Sequence, residues 1–129
     1  MRSSSQDCFF NSVANIGILR GHELIALEGF RIVVIDFRTN EVVHIYHLKS
    51  AMNFEIYEFD QGYVVYGEFE IIKLSATFDV EWVYEGGDIF VRFSGGHGFE
   101  IKGGKIYVTD WCEVRHEIDR FGNGKLSPP

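Results

Sequence analysis

Short segments in which apolar and polar residues alternate dominate this sequence, and helical periodicity is almost absent. Residues 99–102 and 105–109 alternate on either side of Gly103-Gly104, a glycine pair typical of a β-hairpin turn. About eleven segments of this kind follow one another, separated by short turns. Residues 47–52 are the one candidate helix, and this segment is too short to be stable as a helix. The pattern predicts an all-β protein whose strands form an antiparallel meander.

Three of the hairpins share an order of residues. In each, a short turn is followed by an acid, a valine, any residue and then His or Trp. The valines are Val42, Val80 and Val114, which are 38 and then 34 residues apart. A period in this range is typical of a repeated supersecondary unit. The sequence therefore predicts three repeat units, with the three valines buried in equivalent places.

The first of these hairpins, IDFRTNEVVH, resembles the blade repeat of quinoprotein-type (PQQ-like) β-propellers, whose pattern is roughly Leu-Asp-x-x-Thr-Gly-x-x-x-Trp. Ile35, Asp36 and Thr39 match this pattern, whereas Asn40 replaces the usual Gly and His44 the usual Trp. LSATFDVEWVY keeps the Trp and TDWCEVRHEI keeps the Asp, each with a shorter turn. The resemblance implies four-stranded units of propeller type in three degenerate copies. It does not imply the quinone, because the sequence contains no cofactor motif.

Three units are fewer than the four to eight blades of most propellers. With 129 residues, the chain fits a single all-β domain over residues 1–129, with flexible tails at 1–7 and 125–129. Its meander would close as a barrel or a sandwich, or form propeller-like blades, which two chains could complete as a six-bladed homodimer. In the ring or the barrel, Cys8-Phe9-Phe10 would add a twelfth strand beside the last.

The charge and the cysteine content favour some partners and compartments over others. A net charge of −7 disfavours nucleic acid and would attract a basic protein. Solubility alone is the other explanation of this charge, and the commoner one. No segment approaches the roughly 18 apolar residues of a membrane helix, and no apolar run at the start resembles a signal peptide. Cys8 and Cys112 are expected to be reduced thiols, so the sequence predicts a cytoplasmic protein.

No combination of residues close together in the sequence meets the geometry of a catalytic or metal site, and a pair of Cys112 with a histidine across the sheet is the one catalytic arrangement left open. His44 and His47 point to opposite faces of a strand, so they do not converge on a metal. Cys112 and His116 would lie about 13 Å apart along one strand, too far for a nucleophile and its base. We therefore predict a protein that is not an enzyme and holds neither a metal nor a cofactor.

The candidate binding residues lie in turns. Trp111 occupies a turn where a large ring is difficult to bury, and an exposed Trp is a typical anchor for a partner. Asp110 and Glu113 belong to the same turn, and His97 lies in a glycine-rich loop that could contact a partner.

These residues predict a non-enzymatic module that recognises a protein through an acidic, aromatic surface. Immunity or inhibitor proteins that neutralise basic toxins have this size and charge. The alternative is a protein that binds a small apolar ligand in a cavity inside a β-barrel.

Overall fold

The computed structural model describes residues 15–50 and 52–127. No helix in these ranges is long and apolar enough to cross a membrane. The regular structure consists of twelve β-strands: β1 (Gly17–Arg20), β2 (Glu23–Glu28), β3 (Arg31–Asp36), β4 (Glu41–His47), β5 (Asn53–Phe59), β6 (Gly62–Gly67), β7 (Glu70–Ser75), β8 (Val80–Glu85), β9 (Phe99–Lys102), β10 (Lys105–Thr109), β11 (Arg115–Ile118) and β12 (Gly124–Ser127).

The strands form three separate antiparallel sheets of four strands each. Strands β1–β4, β5–β8 and β9–β12 pair in chain order, and we call these sheets blades 1, 2 and 3. The predicted all-β meander in three repeat units is confirmed. The sheets do not close into a barrel, so the barrel alternative is wrong, and the architecture is that of propeller blades.

The C-terminal end of the chain differs from the prediction, and the N-terminal predictions are not tested. The twelfth strand is β12, so residues 125–127 are part of a sheet and not of a tail. Cys8-Phe9-Phe10, the predicted twelfth strand, lies outside the described residues, as do residues 1–7 and 128–129.

Blade 2 is buried on both faces because alternate residues of its strands point to different neighbours. Val65 of β6 packs with Ile25 and Ile32 in a cluster between blades 1 and 2. Val64, the preceding residue, packs with Ile106 in a second cluster between blades 2 and 3. All five side chains are fully buried. The three sheets are therefore stacked side by side, with one apolar core on each side of the middle blade.

The predicted burial of the three valines in equivalent places is wrong, and so is the alignment of the third repeat. Val42 and Val80 are 54% and 60% exposed because they lie on the outermost strands of their blades, and Val114 lies in a turn. The first two hairpins join the third and fourth strands of blades 1 and 2. Residues 110–114 instead join the second and third strands of blade 3. Their true counterpart in blade 3 is the turn at 119–123.

Two turns of blade 3 share the same local chemistry, which explains the misalignment. Asp119 accepts hydrogen bonds from the backbone N–H groups of Phe121 and Asn123, at 2.9 and 3.0 Å. Asp110 accepts the corresponding bonds from residues two and four positions later, at 2.9 and 3.0 Å. A short acceptor side chain stabilises such a turn whichever strands it joins. The local sequence therefore does not reveal which hairpin of the blade it belongs to.

Candidate binding surface

One side of the molecule, which we call the upper face, carries the turns between the second and third strands of each blade and the connections between blades. Backbone hydrogen bonds join these segments. The N–H of Glu68 donates to the carbonyl of Met52 at 2.8 Å, and the N–H of Phe90 donates to Glu68 at 2.7 Å. The N–H of Trp111 donates to Ile89 at 2.8 Å. The segments are therefore held together as one continuous surface.

An exposed aromatic ring occupies the equivalent turn of all three blades on the upper face. Phe30, Phe69 and Trp111 are 49%, 53% and 42% exposed. Phe93, in the connection between blades 2 and 3, packs its ring edge-on against Trp111 with 5.1 Å between centroids. These rings do not belong to either core cluster. Phe93 and Trp111 therefore form an exposed aromatic pair, and Phe30 and Phe69 present single rings at the corresponding turns of the two neighbouring blades.

Glu113 fastens the connection between blades 2 and 3 to the turn that carries Trp111. Its carboxylate accepts hydrogen bonds from Nη2 of Arg92 at 3.0 Å and from the hydroxyl of Ser94 at 3.2 Å. The Arg92 guanidinium holds the pKa of Glu113 below its usual range. Glu113, a predicted binding residue, therefore positions the Trp111 turn.

Asp110, another predicted binding residue, lies inside the protein. Its Oδ2 is 2.8 Å from Nε2 of His116, and Nδ1 of His116 is 2.8 Å from the hydroxyl of Tyr84. Burial raises the pKa of Tyr84. The three side chains link blade 2 to blade 3. Both ring nitrogens of the buried His116 are used within this chain of hydrogen bonds, which holds the two blades in register at this point.

His97, the fourth predicted residue, is exposed on the upper face but is tied to the interior. Its Nε2 is 2.7 Å from Oε1 of Glu55, a buried carboxylate that also accepts a hydrogen bond from the Tyr57 hydroxyl at 2.8 Å. Burial and the Glu55 carboxylate together raise the pKa of Tyr57. The sequence analysis missed Glu55. The sequence does indicate that Glu55 is unusual, because this acid falls on the same strand face as Tyr57 and Phe59, two aromatic residues of the core.

The negative charge of the chain is concentrated in blade 2, which the sequence analysis also missed. Residues 53–85 contain eight Asp and Glu but one basic residue, Lys73. Lys73 is buried and pairs with Glu81 at 2.7 Å. Residues 99–127, by contrast, contain five acidic and five basic residues. On the upper face, Glu68 and Glu70 flank Phe69. We call the acidic residues of blade 2 the acidic sector, and a count of charges in each repeat of the sequence would have revealed it.

The described residues form no metal site, and their three sheets enclose no barrel interior. Among residues 15–50 and 52–127, no three His, Cys, Asp or Glu side chains are placed to hold a metal ion. The sheets enclose no barrel, so the apolar-ligand alternative lacks the cavity on which it depended. The depression between blades 1 and 2 that is lined by Ile72, Val80 and Val83 is open at the surface.

Comparison of the sequence with protein families and with curated proteins gives no match. Solved structures do match. BamB from Moraxella catarrhalis superposes with a TM-score of 0.58 and 15% identity, over 89% of this chain and 34% of BamB. The N-terminal domain of Nup159 gives 0.63 and 10%, over 90% and 34%. The β-propeller domain of Myceliophteria thermophila Cps50 (Swd1) gives 0.63 and 14%, over 98% and 46%.

These similarities concern the fold alone, because the identities are low. All three structures are β-propellers, so the predicted propeller-type repeat is confirmed, while its quinoprotein type stays a prediction. The chain spans between a third and a half of the length of these structures.

Proposed function

We propose that this protein is a non-enzymatic binding module that recognises a basic protein through its upper face. The observation that carries the proposal is the row of aromatic rings at equivalent turns, Phe30, Phe69 and Trp111. Buried aromatic anchors supply most of the binding energy in many protein interfaces. A single exposed ring is common on protein surfaces, but one in each of three consecutive blades is a patterned surface.

The acidic sector of blade 2 supports a basic partner. Glu68 and Glu70 lie on either side of Phe69, the middle ring of the three. A partner that binds Phe69 would therefore lie next to two carboxylates. Charges of this kind act mainly on the rate of association, and salt screens them over about 8 Å at physiological ionic strength. An inhibitor of a basic toxin, like an immunity protein, is one function that such a surface would serve.

A reducing, cytoplasmic location is part of the proposal. Cys112 is exposed and forms no disulfide with any of the described residues. The thiol donates a hydrogen bond to Asp88 at 3.0 Å, and this contact raises the pKa of Cys112. The unreactive thiol form is thereby favoured. An exposed unpaired cysteine is typical of compartments that keep thiols reduced.

The aromatic row is tested with a partner captured from the native source by affinity purification. We expect Phe69→Ala and Trp111→Ala each to weaken its binding by about tenfold or more, mainly through faster dissociation. Phe121→Ala is the matched control, because Phe121 is an exposed ring in a turn on the opposite, lower face. If Phe121→Ala weakens binding as much as Trp111→Ala, or if neither upper-face variant matters, the partner does not use the upper face.

The acidic sector is tested separately by association kinetics at several salt concentrations. Replacing Glu68 and Glu70 by Gln should slow association at low salt and should flatten its salt dependence. Glu41→Gln, an exposed acid of blade 1, serves as the control. An acidic partner, or association that does not slow as salt rises, contradicts the electrostatic part of the proposal.

A further inference from the structure

The two ends of the row of blades differ in their chemistry. Blade 2 is covered on both sides, whereas blades 1 and 3 each have one sheet face that no other blade of the described chain covers. We call these the outer face of blade 1 and the outer face of blade 3. Stacked-repeat proteins normally need a polar outer face on each terminal repeat, since nothing else shields it from water.

The outer face of blade 1 is apolar. Strand pairing aligns its side chains in two rows that cross the sheet: Leu19, Leu24, Ile35 and Val42 in one, and Ala26, Val33 and Ile45 in the other. Leu19 at the edge is 69% exposed. At one border of the face, Glu28 and Arg31 form an ion pair at 2.7 Å and so cancel each other's charge.

The outer face of blade 3 is charged. Pairing of its strands places Lys125, Glu117, Tyr107 and Glu100 in one row across the sheet. Ion pairs connect the rows, with Lys105 bound to Glu117 at 2.9 Å and Arg115 to Glu100 at 3.0 Å. The outer face of blade 3 therefore has the polar character of a capping face, and within the part of the chain that the structure describes the outer face of blade 1 does not.

We propose that the outer face of blade 1 docks against the same face of a second copy of this chain, forming a two-fold dimer. A two-fold axis brings apolar rows against apolar rows, because the same patch is used by both subunits. The ion pair of Glu28 and Arg31 adds no net charge to such an interface. This surface borders the upper face where the Arg31 guanidinium lies 5.9 Å from the centre of the Phe30 ring. The dimer and the binding of a basic partner are therefore tested with different variants, which replace Ile45 or Leu19 in one case and Phe69 or Trp111 in the other.

A head-to-tail ring of two chains fits these faces poorly. Such a six-bladed ring would place the outer face of blade 1 against the outer face of blade 3. The ion pairs of blade 3 would then be taken out of water against aliphatic side chains that offer them no hydrogen bonds, which is costly. The chemistry of the two ends therefore favours the two-fold dimer over the closed ring.

The size of the face predicts a dimer of moderate affinity. Four strands about 4.8 Å apart and about six residues long, at about 3.3 Å per residue, give a sheet face of roughly 400 Å². Side chains project from the sheet and make its accessible surface larger than this flat area. Two such faces would together bury on the order of 1,000 Å², near the lower limit for a specific interface. We expect a dissociation constant on the order of micromolar.

Sedimentation velocity of the full chain, from about 1 to about 200 µM, is the test. The wild type should shift from monomer to dimer within this range. Ile45→Lys should remain monomeric throughout, because it places an ammonium group at the β4 end of one of the two apolar rows. Val83→Lys is the matched control, since Val83 and Ile45 are both 45% exposed on the outermost strands of their blades. It should dimerise like the wild type.

The circular dichroism spectrum of each variant shows whether it folds, and Leu19→Lys replaces Ile45→Lys if the latter does not. A wild type that stays monomeric at all concentrations overturns the proposal. A dimer that survives both Ile45→Lys and Leu19→Lys overturns it too. So does a dimer that Lys105→Glu dissociates, because that result would place the contact on blade 3.

Discussion

Val64→Ala, compared with Val80→Ala, tests whether blade 2 is sandwiched between two cores. The two valines belong to the same sheet. Val64 is fully buried between blades 2 and 3, whereas Val80 is 60% exposed on the outermost strand. The same two methyl groups are removed in both variants. Any difference in the free energy of unfolding therefore reports the surroundings of the side chain.

The expected magnitudes follow from burial. Removing two buried methyl groups costs about 1.6 kcal/mol in transfer free energy, at about 0.8 kcal/mol per methylene equivalent. A residual cavity of about 40 Å³ adds about 1 kcal/mol, at about 24 cal/mol per Å³. We therefore expect Val64→Ala to cost about 2–3 kcal/mol. Val80→Ala leaves no cavity and should cost about 0.5 kcal/mol, because the side chain is mostly exposed in the folded protein.

Urea unfolding followed by tryptophan fluorescence measures both variants. The midpoint should fall clearly for Val64→Ala and little for Val80→Ala, with no change in the slope of the transition. In thermal unfolding, the expected shifts are about 8–12 °C and about 2 °C, at about 4 °C per kcal/mol. Equal destabilisation by the two substitutions, or a loss below about 0.5 kcal/mol for Val64→Ala, would refute the arrangement of the blades.

Three further predictions concern turns, the buried hydrogen-bond chain and pH. Gly122→Ala should destabilise the protein more than Gly103→Ala in urea titrations. Both glycines have positive φ (86° and 60°), but only a Cβ at Gly122 would meet an indole ring, at 2.8 Å. Tyr84→Phe should cost about 1–2 kcal/mol in thermal unfolding, because it deprives the buried His116 of a hydrogen-bond partner. Burial raises the pKa of Tyr66 to about 12 from its usual 10.0. The contribution of this shift to the free energy of unfolding is complete below pH 10 and should be lost as the pH rises towards 12. In urea titrations over this pH range, the midpoint should therefore fall less for Tyr66→Phe than for the wild type.

Local features of the fold were predictable from the sequence because they depend on neighbouring residues. The hairpin around Gly103-Gly104 is present as β9 and β10, and both glycines have positive φ. The departure of Asn40 from the propeller pattern also has a local explanation. Its φ is +60°, a conformation that Gly adopts freely and that Asn tolerates better than most residues. The turn is thus preserved although the residue differs.

Features that depend on contacts between sheets were not predictable in the same way. The alignment of Val114 with Val42 failed because the Asp-capped turn recurs at two places in blade 3. The exposure of Trp111 and the burial of Asp110, its neighbour, are decided by the connection between blades 2 and 3. That connection is longer than the one between blades 1 and 2. A single sequence does not show which loops pack together.

The placement of charge makes the two proposed surfaces compatible, and it predicts that salt will affect them differently. Both faces of blade 2 are buried, so most of its carboxylates lie in turns and on the outermost strand, as Glu68 and Glu85 do. In a dimer formed through blade 1, two sheets would separate the acidic blades. At about 10 Å per packed sheet, their centres would be about 30 Å apart, well beyond the screening length of about 8 Å. The dissociation constant of the dimer should therefore change by less than about twofold between 0.15 and 0.5 M salt in sedimentation experiments, whereas association with a basic partner should slow markedly. A dimer that tightens strongly with salt would show that the acidic blades face each other, and the contact would then not be the outer face of blade 1.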